Sequence, residues 1–308
     1  MHKEIILFTT HKRKDMSMNT VIENAFLKAT IKEAGGELVS LVNKENGGEY
    51  LWQGDPTYWA CRSPSMFPIC GRLPDGKYTY EGKEYEMNLH GFVKISTLTV
   101  ESATETQAVF LLTDNEETRK SYPFAFAYRI IYTLDENRLT VTYRVENKDD
   151  KELIFALGGH PAFNVPLEPG VNANTYYFEY GEDLSPERMM CSDRHLFVDY
   201  APFKLREKKY LAFAHSMFDN DAIFLKNAGT HVTLCSVESP RAIRVDFDDF
   251  THIGLWHSPK TDAPFVCIEP WDSVPALESE TCSLETKPSM NRLASGKSME
   301  KSFTITVI

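Results

Sequence analysis

Nowhere does the chain approach the roughly 18 consecutive apolar residues of a membrane-spanning helix. Its one early apolar run, Ile5-Ile6-Leu7-Phe8 behind Lys3 and Glu4, is too short for the core of a secretory signal, and no small-residue cleavage site follows it. Basic stretches are equally scarce. The 33 lysines and arginines stand against 44 aspartates and glutamates, a formal net charge of −11, which argues against nucleic acid as a partner. No C-x-x-C pair occurs among the six scattered cysteines, Cys61, Cys70, Cys191, Cys235, Cys267 and Cys282. They read as reduced thiols of a cytoplasmic protein, mostly serving as small buried hydrophobes. There is no G-x-S-x-G nucleophile elbow, no glycine-rich phosphate loop and no dinucleotide fingerprint. His252 and His257 fall at neither helical nor strand spacing for a shared ligand, so no metal is expected.

Helical periodicity is also thin. The best stretch is 204–213, and 115–121 has room for one or two turns before Pro123 stops it. No linker rich in proline, glycine or serine divides the chain, and no internal repeat is visible.

What is present is apolar material for a large core, 42% of 308 residues, arranged with period two. In Arg138 to Asn147, Leu139, Val141, Tyr143 and Val145 alternate with Thr140, Thr142, Arg144 and Glu146, as a half-buried strand requires. Ile243, Val245 and Phe247 repeat the pattern, and so do Phe303, Ile305 and Val307 at the C-terminus. Further β-branched or aromatic runs occupy 97–100, 108–112, 126–132, 175–180, 222–225 and 231–237. Many short strands with few crossover helices predict an all-β, mainly antiparallel sandwich. Residues 18–308 are expected to form one domain, with residues 1–17, which include all but the last residue of the polar stretch HKRKDMSM, as an extension outside it.

Four segments interrupt this pattern with titratable groups in tight surroundings: RSPSMFPICGRLPDG (62–76), NLHGF (88–92), LGGHPAFN (157–164) and FVCIEPW (265–271). His160 follows two glycines, which permit close backbone approach, and precedes Pro161, which restricts it to extended geometry. An imidazole so held suits general acid or base work near its ordinary pKa of about 6.5. A histidine merely satisfied within a tight turn is the competing reading. Glu269 ends the apolar run Phe265-Val266-Cys267-Ile268 and is held extended by Pro270. A carboxylate emerging from such a strand is costly without partners, which makes it a candidate base, against the alternative of a strand-end glutamate meeting solvent or an arginine. Arg72 suits two hydrogen bonds to a substrate's hydroxyl oxygens, a carboxylate anchor such as Glu269, or a tie between loops. His90 carries the ambiguity of His160. Asp221 opens an apolar strand, where aspartates are usually turn formers.

Taken together and in chain order, the FPICGRL, NLHGF, GGHPAFN, D-x-x-F (221–224) and CIEPW segments resemble the aldose 1-epimerase (galactose mutarotase-like) family, and more closely its bacterial LacX-like branch. The resemblance runs from about Val21 to the C-terminus. It implies a large β-supersandwich and a cofactor-independent isomerase that interconverts the α and β anomers of a hexose. By position, Glu269 matches the family's catalytic base and His160 its acid. Arg72, His90 and Asp221 match residues that position the sugar, and Trp256 and Phe163 are assigned to the lining. The sequences flanking the two site histidines differ from those of the better-known galactose mutarotases, so substrate preference does not transfer. The expected partner is a small-molecule sugar, a free hexose in preference to a phosphorylated one, and a homodimer is allowed. Three other readings remain open: a hexose-6-phosphate 1-epimerase, for which Lys94 or Lys226 would supply charge; a non-catalytic sugar-binding protein on the same scaffold; and a glycosidase, for which only Asp221 offers the second acid.

Overall fold

In the strand Arg138–Asn147, the residues with odd numbers from Leu139 to Val145 are buried while their neighbours reach outward, as the alternation predicts. On the outward face Thr140 meets Thr304 at 3.0 Å and Thr142 meets Ser302 at 2.9 Å, hydroxyl pairs that bind this strand to Ser298–Val307. On the inward face, each fully buried aliphatic side chain contributes roughly 1.5–3 kcal/mol. The computed structural model describes residues 19–308 except 182 and 280, so the expected extension over 1–17 lies outside the described residues.

Among the described residues this strand lies within a nine-stranded antiparallel sheet, in spatial order Tyr210–Ala212, Tyr176–Tyr180, His231–Ser236, Ile243–Asp246, Ser298–Val307, Arg138–Asn147, Phe126–Asp135, Gln107–Thr113 and Thr99–Ala103. A second antiparallel sheet runs Phe197–Pro202, Glu187–Cys191, Ile223–Lys226, His252–Trp256, Phe265–Trp271, Gly158–Gly159 and Ser65–Met66, with Ala162–Asn164 also pairing to Phe265–Trp271. One continuous apolar core joins Val141, Val245, Phe303 and Ile305 of the first sheet to Phe163, Leu225, Ile253, Leu255, Val266 and Ile268 of the second. This is the expected sandwich. The strands Asn19–Glu23, Leu27–Lys32 and Glu37–Asn43 form a smaller antiparallel sheet.

Two sequence expectations about helices fare differently. Glu116–Ser121 is helical, with Asn115 capping it by accepting hydrogen bonds from the Glu117 and Thr118 amides. The stretch 204–213 is not a helix. Arg206 pairs with Tyr210 across a turn in which Glu207 and Lys208 take φ of 53° and 56°, and the chain continues as the strand Tyr210–Ala212. Two consecutive left-handed residues are incompatible with a helix. All six cysteines are free, as expected, and no described helix is long and apolar enough to cross a membrane.

Candidate active site

The strand Phe265–Trp271 is buried along its whole length, yet it still has two faces. Val266 and Ile268 enter the main core, whereas Phe265 and Cys267 pack with Trp52 and Ala162, and Trp271 packs with Met66, Cys70 and Ala156. By the same alternation Glu269 lies on the second face. The strand therefore does not end at Ile268, as its sequence suggested; Glu269 is held inside it, opposite Gly254 of the neighbouring strand.

The partner segment carries the histidine. Gly158 pairs with Trp271 and Ala162 with Cys267. Continued through the break between them, this register sets His160 across from Glu269. His160 Nε2 stands 3.4 Å from Glu269 Oε1. The glycine before the histidine is needed for close approach, because a Cβ on Gly159 would meet the Phe303 ring at 2.8 Å. The His160 amide donates to the Pro64 carbonyl at 3.0 Å, tying it to the segment that continues to Arg72. Asp272, just beyond the strand, accepts from the Leu157 amide and from Lys301 and Asn291, which fastens the two segments together.

Both groups are dry: Glu269 is 1% exposed and His160 8%. Burial pushes the Glu269 carboxyl well above the ordinary range, the Trp271 indole opposes this by donating to Oε2 at 3.2 Å, and the charge of Asp221 adds to it. Burial pulls His160 down to about 3. Low polarity thus disfavours charge on either partner. Glu269 Oε1 and His160 Nδ1 have no hydrogen-bond partner among the described residues, an arrangement that leaves polar atoms for something else to satisfy.

Aromatic rings wall the pair. Trp59 stacks on His160 with centroids 4.8 Å apart, and Trp256 presents its edge at 5.5 Å. Trp271 is backed by Phe224 at 4.1 Å, and Phe224 fits only because Gly254 has no side chain: a Cβ there would lie 2.2 Å from its ring. His90 adopts φ of 63°, and its Nδ1 accepts the Gly71 amide at 3.1 Å. That bond assigns the proton of the neutral ring to Nε2, leaving a donor free. Burial, with the nearby His160, lowers its pKa well below the ordinary value. Asp221 accepts from Trp256 Nε1 at 3.0 Å through Oδ1.

Sequence expectations are thus met unevenly. His160 and Glu269 come together, with His90 5.9 Å from His160 by ring centroids and Asp221 joined to Trp256 beside it. Arg72 follows Gly71, which is bonded to His90, but its exposed side chain forms no ion pair with Glu269. Phe163 does not line the site. It sits one residue out of phase with Ala162 and is fully buried in the main core. His252 and His257 are not a ligand pair: the first bonds Tyr200 and the second His215. Lys226 is engaged by Glu187 and by the Tyr200 ring. The sequence reading missed Trp59, whose loop shows no pattern that marks it. It also missed Cys267 as a neighbour of the pair. The donor atoms of His160, Cys267 and Glu269 lie within 4.8 Å of one another, a set with the chemistry to hold a thiophilic divalent ion. Burial and the nearby Glu269 raise the Cys267 thiol well above its ordinary pKa, so the metal-free site holds a neutral thiol.

Comparison with known proteins gives this geometry a context. The family model described as aldose 1-epimerase matches residues 18–282. The plasmid-encoded protein LacX of Lactococcus lactis subsp. lactis is 34% identical over 301 residues, covering 94% of this chain and all of that protein. A galactose mutarotase related enzyme from Lactobacillus acidophilus superposes with a TM-score of 0.89 at 35% identity, covering 94% of this chain and 97% of its own. A galactose mutarotase-like protein from Lactobacillus casei does so with 0.87 at 30% identity, covering 94% of this chain and 100% of its own. With a match extending over most of its length and relatives this similar end to end, the chain belongs to the aldose 1-epimerase family.

Proposed function

We propose that the protein is a mutarotase acting on a hexose by acid/base ring opening and reclosure. Interconverting anomers requires the C1 hydroxyl proton to leave while the ring oxygen gains one. The ring then opens to the aldehyde, the C1–C2 bond rotates, and the reverse transfers close it. The supporting observation is the buried His160–Glu269 pair, its two groups 3.4 Å apart, and the scheme starts with the proton on the carboxyl and the imidazole neutral. Moving that proton from the carboxyl to the imidazole creates base and acid together without changing the net charge of the site. Glu269 then takes the C1 proton, His160 gives one to the ring oxygen, and the roles reverse on closure. The free Nε2–H of His90 and the carboxylate of Asp221 orient hydroxyls, and Trp59 and Trp256 offer apolar ring faces. No cofactor enters this scheme.

A free hexose fits the acidic balance of the chain, and the Lactobacillus acidophilus relative, described as galactose mutarotase related, makes galactose the first sugar to try. One observation favours a hexose 6-phosphate as a second reading. The positive charges of Lys94 and Arg72 both act on His90, and neither residue has an acidic partner among the described residues. Anomer exchange followed by NMR, with catalytic protein and glucose, galactose and their 6-phosphates in parallel, separates the two. Acceleration confined to the phosphates would replace the free-hexose reading. No acceleration with any sugar would leave a binding protein.

A further inference from the structure

Asp221 is gripped from both sides by neighbours in the sheet. Trp256, ending one adjacent strand, donates to Oδ1 at 3.0 Å. On the other side lies the hairpin Glu187–Cys191/Phe197–Pro202, and from its turn His195 Nδ1 reaches Oδ2 at 2.8 Å. Both His195 and Asp221 adopt left-handed backbone, with φ of 58° and 76°. Such conformations persist in non-glycine residues when their surroundings over-determine them.

The side chain of His195 is not needed to build its turn. The His195 amide donates to Ser192 O at 2.8 Å, the Ser192 amide donates to Leu196 O at 2.9 Å, and Ser192 Oγ accepts the Arg194 amide at 3.2 Å. Nor is the contact a stability device, since its side chains are 48% and 38% exposed and polar pairs that open to water contribute little. What the contact does fix is direction. With one donor on each oxygen, the carboxylate plane is set, and each oxygen keeps a second lone pair for a sugar hydroxyl.

We infer that His195 is a positioning residue of the sugar site, acting through Asp221 to hold the hydroxyl-reading carboxylate in one orientation. This rests on the proposed reaction. The contribution falls on sugar binding and not on proton transfer, because His195 reaches only the carboxylate oxygen and not the His160–Glu269 pair.

The test compares wild type with His195→Ala and His195→Asn by NMR anomer exchange of galactose over a range of concentrations. Galactose titration of tryptophan fluorescence runs alongside, and circular dichroism melting checks folding. His195→Ala is expected to raise KM about tenfold, the scale of one hydrogen bond to a charged group, with kcat within about twofold. His195→Asn, which tolerates left-handed backbone and keeps a short N–H donor, restores most of the KM. The inference is overturned by an unchanged KM in folded His195→Ala, by a fall in kcat alone, or by an Asn variant as impaired as Ala. A wild type that exchanges anomers while His195→Ala matches it removes this inference and leaves the proposed reaction standing. A wild type that neither exchanges nor binds galactose or any of the other three sugars removes both.

Discussion

The strands Arg138–Asn147 and Phe265–Trp271 obey the same two-residue alternation to opposite ends. In the first, one face enters the core and the other carries threonine and charged side chains facing outward. In the second, both faces are buried, and the face turned from the core holds a carboxyl, a thiol and aromatic rings. An ordinary strand has water to satisfy its polar face. Here the polar atoms on that face are left to one another and to whatever enters, so the same alternation that builds the sandwich in one sheet leaves buried, unpartnered polar atoms in the other.

The largest effect expected from this contrast is on rate. Glu269→Gln and His160→Asn are each expected to slow anomer exchange by at least about a hundredfold with little change in melting temperature, as polarimetry and calorimetry on the same samples will show. The wild-type pH–rate curve should be bell-shaped, its limbs belonging to the pair and not to either residue. A near-wild-type rate in either variant would make that residue part of the scaffold and erase the distinction between the two strands.

The converse substitution lies in the other sheet. Ile305→Ala removes a fully buried side chain from the core and should cost about 2–5 kcal/mol in denaturant unfolding, while leaving the exchange rate per folded molecule within about twofold. A selective loss of rate would show that the nine-stranded sheet does more than support.

The smallest effect concerns acid. The His160 pKa is pulled from 6.5 to about 3 in the folded protein, so between those values the unfolded chain takes up a proton that the folded chain refuses. His160 therefore contributes stability that is fully present above about 6.5 and is lost as pH falls towards 3. In melting scans, His160→Asn should lose less stability than wild type over that window. It should not abolish the slope, because His252, pulled down to about 4, behaves alike. Parallel wild-type and variant curves would place His160 in water.

Legibility in the sequence followed the same division. Arg138–Asn147 could be bounded to the residue because water on one side enforces alternation. Phe265–Trp271 looked shorter than it is, since a glutamate followed by proline reads as the end of a strand wherever the site cannot be seen. The stretch 204–213 holds helix-favouring residues such as Leu205, Arg206, Glu207, Lys208 and Ala212 with no glycine or proline among them, and nothing in Glu207-Lys208 announced a left-handed turn, for which glycine is the usual sign. Phe163 was misassigned by one step of the alternation. His195 was invisible because its contact with Asp221 depends on how two hairpins lie side by side. Proximity of the titratable groups was within reach through chain-order motifs, but their dryness was not, because it depends on Trp59 and other residues distant in sequence.

The register joining His160 to Glu269 has a consequence for how such a molecule can diversify. Their spacing is set by ladder pairings that flank them on both sides, Gly158 with Trp271 and Ala162 with Cys267, and not by the segments at the rim. The segments bearing Trp59, Arg72, His90 and His195 can be exchanged, lengthened or recharged like the jaws of a tool whose handle is untouched. On the proposed reaction, a change of sugar would then call for new jaws only, and altered specificity would be sought there without re-engineering the pair.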